Sequence, residues 1–303
     1  MLSASEVVCF KGALLLAPMP MKQITFGSIV ILLATACTTG GRVATPSSPS
    51  VPEPIIQPTD HGPWAFSYRS DTLHYQISRS AAIESEGDSA VHREISTNNS
   101  HEIVSLFVAG DTVRYTAVVD SFSTANQGAI GPVQPVTLPV QVSGVVDSLG
   151  LNVDSTATDE QCNAVQSSLE SDIRNLLISL PAQLSPGTSW RDSTVTATCA
   201  GSVPAKAIII RRFLVVGASS YANESAIAIQ RTDTISGLGV GRQHQHQLNI
   251  EISGTGSATY YISTERNRLV YLATSQDLSF VVRSSSRADH LRESAKEQFI
   301  LVP

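Results

Sequence analysis

Charge is scarce in this chain. Only 15% of its 303 residues are Asp, Glu, Lys or Arg, well below what a soluble domain usually carries. Acidic residues outnumber basic ones, 26 to 20, for a formal net charge of −6. That balance argues against a basic face built for nucleic acid. Cysteine is nearly absent, with four in all and no C-x-x-C spacing to lower a thiol pKa. No G-x-S-x-G elbow occurs, and no Ser-x-x-Lys is followed by the companion motifs of penicillin-binding enzymes. H-E-x-x-H and the D-x-D-x-D-G calcium loop are missing as well. These absences leave a hydrolase as the third choice among functions and no catalytic residue to name. Hydrophobic residues make up 42% of the chain, an ordinary share for a globular protein and too many for a disordered one.

Met21-Lys22-Gln23 opens the first informative stretch, followed by an apolar run over 24–36 and then Cys37. A short charged start, an apolar run and small residues form an export signal. The run is too short to span a bilayer comfortably, and Pro18, Pro20 and Lys22 interrupt a longer version. Residues 1–20 precede this better start and read as a start codon set too early. Leu33-Ala34-Thr35-Ala36-Cys37 resembles a bacterial lipobox. The resemblance implies cleavage before Cys37 and lipidation of Cys37, with Ala34 standing where Leu is commoner. The alternative is an ordinary signal peptide cut near Ala36. Thr38, rather than Asp, follows the cysteine; by resemblance to enterobacterial sorting this implies the outer membrane, facing the periplasm or the exterior. The expected partner is therefore a membrane, reached through an N-terminal lipid anchor.

Residues 38–62 carry Pro46, Pro49, Pro52, Pro54 and Pro58 in a Ser/Thr-rich setting. Such a segment has too little apolar surface to bury and reads as a disordered tether, able to reach roughly 70–80 Å at about 3.1 Å per residue. Residues 63–303 then read as one β-rich domain. Leu73, Tyr75 and Ile77 alternate with polar residues, as do Val113, Tyr115, Ala117 and Val119. The same holds for Val136, Leu138, Val140 and Val142, for Leu248, Ile250 and Ile252, and for Ala258, Tyr260 and Ile262. Period-two alternation predicts antiparallel strands with one packed face. Pro139 places its strand at an edge or beside a bulge. Turns are expected at Ala109–Thr112, Asp147–Gly150 and Ser253–Gly256. The fold class is mainly β: a large antiparallel curved sheet, open barrel or sandwich of about 12–14 strands.

One segment has helical spacing instead. Cys162, Val165, Leu169, Ile173, Leu176, Leu177 and Leu180 recur at three- and four-residue steps. Thr158 and Gln161 make a capping box, and Pro181 stops the run, so one amphipathic helix is predicted over about 159–180, its stripe laid on the sheet. Leu184-Ser185-Pro186-Gly187 reads as a tight turn feeding Trp190 into a strand. The two remaining cysteines of the exported chain, Cys162 and Cys199, are expected to form a disulfide.

Candidate ligand-binding features are few. His244 and His246 flank Gln245 and are the candidate metal pair, if they share one face of a strand; the alternative is a solvated strand face, and no cofactor is expected. Gly237-Leu238-Gly239-Val240-Gly241 reads as a flexible hairpin connection or contact loop rather than a phosphate loop. Asp154, Asp159 and Glu160 suit the first turn of the helix that follows. Arg211, Arg212, Arg266, Arg268, Arg283 and Arg287 read as solvated strand faces.

The whole plan resembles the uncharacterised β-rich lipoproteins of bacterial envelopes: lipobox, Pro/Ser tether, antiparallel domain, one mid-chain helix and the Pro186–Trp190 turn. Some envelope lipoproteins of similar plan hold lipid acyl chains in a curved sheet covered by several helices, and this chain departs from that pattern in having one. The resemblance implies a non-catalytic envelope lipoprotein that binds a lipid-like or hydrophobic ligand in a sheet cavity. Leu106, Phe107, Phe213, Tyr260, Tyr271 and Phe280 are the apolar candidates. The alternative is a protein-interaction or scaffold module of the envelope that works by strand addition.

Overall fold

The computed structural model describes residues 62–86, 91–127, 137–147, 150–154, 164–200, 203–243, 246–284 and 288–303. In chain order the elements are β1 Trp64–Ala65, β2 Asp71–Glu86, β3 Val91–Ala109, β4 Thr112–Gln127, β5 Val140–Asp147, β6 Gly150–Asp154, the helix α1 Ala164–Leu176, β7 Gln183–Leu184, β8 Ser189–Ala200, β9 Val203–Tyr221, β10 Glu224–Gln243, β11 His246–Ser263, β12 Arg268–Arg283 and β13 Ala288–Val302.

Eleven strands form a single antiparallel sheet in the order β6-β5-β4-β3-β2-β13-β12-β11-β10-β9-β8. Two meanders, β2 to β6 and β8 to β13, are joined where the last strand pairs with the first long one, Phe299 opposite Ile77. This pairing brings the two ends of the domain's chain side by side in the middle of the sheet. It leaves β6 and β8 as the free edges. β1 and β7 make a separate two-stranded pair, Trp64 opposite Leu184.

The sheet curls around α1. The helix packs against β4 and β5 at one end of the strand order and against β8 at the other. A flat sheet cannot present its second and eleventh strands to one helix. Right-handed twist accumulates along strands of 16–20 residues. Bulges at His101/Glu102, Ala228/Ile229 and Tyr261/Ile262 add local bend.

The alternating residues face inward as predicted. Leu73, Tyr75, Ile77, Val113, Tyr115, Ala117, Val119 and Val142 are buried, and so are Leu248, Ile250, Ile252, Ala258, Tyr260 and Ile262. The interior is layered. One apolar layer surrounds α1 and draws on β2–β5 and β9–β13. A second, formed by Val203, Ala205, Ile209, Ile250, Leu278, Phe280 and neighbours, fills the far end of β9–β12. The turn at Leu184–Gly187 is present: Gly187 takes φ +84° and donates to Val215 O at 2.9 Å. It delivers Trp190 onto Phe213, with ring centroids 4.8 Å apart and planes within 4°.

Several expectations change. The helix ends at Leu176, so Leu177 and Ile178 are buried outside it; the region of Thr158, Gln161 and Cys162 lies outside the described residues. It is also no surface helix, since Glu170, Ser171, Asp172 and Asn175 are buried along with the apolar stripe. A turn joins β3 to β4, with Ala109 opposite Thr112, and Asp147 of β5 pairs with Gly150 of β6. Ser253–Gly256 is not a turn but the middle of β11, opposite Thr234–Ser236 and Asp233. Pro139 sits just before β5, whose first residues pair only with β4. Gly237–Gly241 is not a loop but part of β10, paired with both β9 and β11.

The spacing of those glycines explains the misreading. Gly237, Gly239 and Gly241 occupy the inward parity, where apolar residues are the usual signal of a strand. There the neighbouring strand comes too close for a side chain. A Cβ at Gly237 would stand 2.7 Å from Lys206 O, and one at Gly239 would stand 2.9 Å from the Ala205 Cβ. Gly237→Ala is accordingly expected to cost about 1–3 kcal/mol through overpacking against backbone. A fall in the urea midpoint checks this; an unchanged midpoint contradicts the tight β9–β10 contact.

Candidate functional site

Between the two apolar layers lies a belt of buried charge, and it converges on α1. Three arginines stand at inward positions of three strands: Arg79 on β2, Arg211 on β9 and Arg231 on β10. Each bonds to the second half of the helix. Arg79 Nη2 donates to the Asp172 carboxylate. Arg211 Nη1 donates to the backbone carbonyl of Arg174 at 2.5 Å. Arg231 Nη1 donates to Asn175 Oδ1 at 2.9 Å. A helix ends with unsatisfied carbonyls and partial negative charge, so cations gathered there are favourable.

Each guanidinium has a second partner on the sheet. Arg211 makes a bidentate pair with Asp192 of β8, both bonds 2.7 Å. Arg231 pairs with Asp233 at 2.8 Å and donates to the Tyr260 hydroxyl. Arg79 touches Glu297 of β13 at 3.2 Å, Ser100 of β3 at 3.3 Å and Glu102 of β3 at 3.7 Å. Arg174 itself reaches back from the helix to Thr194 of β8 at 2.9 Å. The belt therefore ties β2, β3, β8, β9, β10 and β13 to one helical turn and a half.

The charge balance around Arg79 is uneven. One guanidinium faces three carboxyl groups: Asp172, Glu102 and Glu297. Burial pulls the Arg79 pKa down, but Asp172, Glu297 and Glu102 outweigh it and hold the proton more firmly than usual. Burial raises the Glu102 pKa well above its ordinary value, and the adjacent Asp172 raises it further. Both Glu102 oxygens and Asp172 Oδ1 are buried without a hydrogen-bond donor. A proton on Glu102, donated to Asp172, satisfies both residues and leaves a site of one cation and two anions. Burial raises the pKa of Glu297 as well.

Three spaces lined by described residues of the interior are all small. A crevice of about 30 Å³ lies between Phe66, Tyr68, Leu106, Leu177, Ile178 and Leu269. Smaller voids of about 20 and 10 Å³ lie beside Arg211–Arg231 and beside Arg79–Glu102. These suit water molecules, whereas small-molecule sites run to about 300 Å³ or more. Tyr68 donates to Ile178 O at 2.8 Å and Tyr75 to Leu269 O at 3.1 Å, closing the crevice walls.

The sequence-derived candidates fare unevenly. Leu106, Phe213, Tyr260, Tyr271 and Phe280 are core, while Phe107 is 63% exposed. Tyr271 packs with Tyr221 and Tyr261 on the outer face, away from the helix. Burial pushes its hydroxyl up to about 12. Arg211 is no solvated residue but one of the three helix ligands. Arg266 and Arg283 remain exposed and pair with Glu224 and Glu251. Gln243 of β10 pairs with His246 of β11. His244 and the His246 side chain lie outside the described residues, as do Cys37, Cys162, the Cys199 side chain, Arg287, Asp159 and Glu160. No cluster of metal-ligating side chains occurs among the described residues. The missed residues, Arg79, Glu102, Arg231 and Asp233, had one available signal: a charge standing where the alternation calls for an apolar residue.

Removing Arg79 leaves buried carboxylates without a counter-ion. Arg79→Met is expected to lower stability by about 3–5 kcal/mol, read as a loss in the urea midpoint. Glu102 has the opposite sign. Its proton is held in the folded chain but lost near the ordinary 4.5 in the unfolded one, so wild-type stability falls as pH rises above that value. Glu102→Gln should flatten this decline and make the protein more stable than wild type at pH 8, with Glu297 supplying the residual slope. Equal slopes for the two proteins would exclude a protonated Glu102.

No known protein family matches the chain, and no curated protein does. Solved structures align over most of its length with little identity. OccK8 (OprE) of Pseudomonas aeruginosa aligns at 8% identity, over 77% of this chain and 99% of its own, with a TM-score of 0.22. The translocator domain of the autotransporter NalP from Neisseria meningitidis aligns at 5% identity, over 77% and 89%, with a TM-score of 0.21. A DUF1329 family protein from Desulfovibrio piger aligns at 10% identity, over 73% and 83%, with a TM-score of 0.16. Scores of this size say no more than that each is similar to this chain in having long strands, and no function is drawn from them.

Proposed function

We propose that the protein is a non-catalytic lipoprotein of a bacterial cell envelope that works through its outer surface. The observation that carries this reading is the filled interior. The curled sheet already has an occupant, α1, held by three buried arginines from three strands. A hydrophobic ligand inside the sheet would have to displace that helix and strip Arg79, Arg211 and Arg231 of their helix partners. The buried charges are bonded to one another and to the helix, an arrangement that fits a structural role. Lipidation at Cys37 rests on the lipobox resemblance and supplies the membrane location.

The outer face of the sheet also supports a domain that stands in water. Thr72, Gln76, Ser78 and Ser80 on β2, and Gln247, Asn249, Glu251 and Ser253 on β11, point outward. A barrel embedded in a bilayer carries an apolar band there. The free edges β6 and β8 and the outer faces beside them are the surfaces available for contact.

Two measurements test this reading together. Expressed in a bacterium that processes lipoproteins, the wild-type chain should incorporate a palmitate analogue and Cys37→Ser should not. Native mass spectrometry of the chain from Thr38 should give the bare polypeptide mass. A lipid that co-purifies stoichiometrically and leaves only on unfolding would restore the cavity reading and overturn this one.

A further inference from the structure

Seven large hydrophobic side chains are exposed among the described residues, and six of them lie on three adjacent strands. Val195 lies on β8, Ile208, Ile210 and Leu214 on β9, and Leu238 and Val240 on β10. All six point to the outer, convex face. Val195 stands opposite Ile208, Ile208 opposite Ser236, and Leu238 one pair further along, opposite Lys206. Side chains on adjacent strands at this spacing touch or nearly touch. Val195, Ile208, Ile210, Leu238 and Val240 therefore form one stripe that runs from the edge strand β8 inward, and Leu214 stands apart from it beyond Arg212.

The charges around the stripe are basic apart from Glu251, which is bonded to Arg283. Arg191 and Arg212 stand opposite each other at one end, Lys206 beside Leu238, and Arg242 at the far end past Val240; all four are exposed. None of Arg191, Arg212 and Arg242 pairs with a carboxylate among the described residues. The nearest outward acid, Glu251 opposite Leu238, is bonded to Arg283. Asp192 and Asp233, on the same strands, face inward and are taken up by Arg211 and Arg231. A chain with a net charge of −6 thus presents one apolar face rimmed by cations. Apolar side chains ringed by basic ones match the interface of an anionic bilayer: the apolar groups enter the acyl boundary while the cations meet the headgroup phosphates.

The connection to the tether supports the same placement. The described chain begins at Gly62, packed against Leu184 O. The turn that follows Leu184 is bonded to Val215 O, next to Leu214 and three residues past Arg212 at the end of the stripe. Gly62 therefore lies toward the Arg212 end of the stripe. The distance from there to Ile208 along β9 is roughly 20–25 Å at about 3.3 Å per residue. Residues 38–62 span that several times over.

Resting on the envelope-lipoprotein reading, we infer that the β8–β10 outer face docks the domain onto an anionic phospholipid surface, a second membrane contact beside the lipid anchor. The domain then lies down on the membrane with β8 toward the lipid, and α1 and the edge β6 are held away from it.

The test uses the chain from Thr38, which keeps every described residue and has no anchor to bind for it. It is mixed with vesicles of phosphatidylcholine alone or with phosphatidylglycerol at about one third. The expected result is co-sedimentation with the anionic vesicles, weakened by salt, and little with phosphatidylcholine. Leu238→Ser with Val240→Ser should reduce binding, and Arg212→Ser with Arg242→Ser should reduce it by at least about tenfold. Both pairs are surface changes, and an unchanged melting temperature confirms that the fold is intact. Equal binding by wild type and both variants, or no binding to anionic vesicles, overturns the inference. So does a dimer in sedimentation velocity that Leu238→Ser dissolves, since a second copy would then be the occupant of the stripe. Any of these leaves the anchor at Cys37 standing, because palmitate labelling reports on it separately.

Discussion

The structure depends on the bonds between three inward arginines and the last turns of α1. Curling eleven strands into an incomplete barrel leaves a hollow that side chains from the sheet alone do not fill, and the free edges β6 and β8 do not meet to seal it. The helix answers both needs. It fills the hollow and contacts β4, β5 and β8 across the opening. Its polar side must then be accommodated inside the protein. Arg79, Arg211 and Arg231 meet Asp172, the Arg174 carbonyl and Asn175 there, and each arginine carries a second bond to the sheet. An ion cluster of this kind contributes less to net stability than its contacts imply, because desolvating the charges is costly. Its value is specificity: the helix sits where each of the three arginines bonds to it and to the sheet at once.

This arrangement constrains function. A carrier for hydrophobic ligands needs an interior that empties cheaply, and apolar helix packing can separate and re-form. Here separation removes the helix partners of three buried guanidinium groups and leaves Asp172 without its counter-ion. Glu102 deepens the asymmetry, since burial and the adjacent Asp172 raise its pKa only while the helix stays in place. The interior is therefore a scaffold, and the outer face is where sequence and structure leave unexplained chemistry. Among the described residues, the cation-rimmed stripe on β8–β10 is an exposed part of that face whose composition departs from the polar surface around it.

Much of this architecture was legible in the sequence because alternation carries it. Leu73-Tyr75-Ile77, Val113 to Val119 and Leu248 to Ile252 all appear as inward residues of long antiparallel strands. The helix was legible from Val165, Leu169, Ile173 and Leu176 at its own period. Glycine hid the rest. Gly237, Gly239 and Gly241 sit at inward positions where β9 approaches too closely for a side chain, and Gly254 and Gly256 do the same toward β12 and Asp233. Two strands about 18–20 residues long thus read as short strands with loops between them. The charged belt was hidden by the opposite effect. Arg211 follows Ile209 and precedes Phe213 at the inward parity, but a charge is ordinarily assigned to solvent. Only the position of α1, which no local pattern records, explains why an arginine belongs there.

The central claim is that α1 is an integral part of the core, bound as tightly as the strands around it. Native-state hydrogen exchange measures this directly. The account predicts that the amides of α1 exchange only through global opening, with the same free energy as the central strands β2 and β13. Exchange of the α1 amides through a separate opening of much lower free energy, with β2 and β13 still protected, would show that the helix leaves the sheet on its own and would contradict the account.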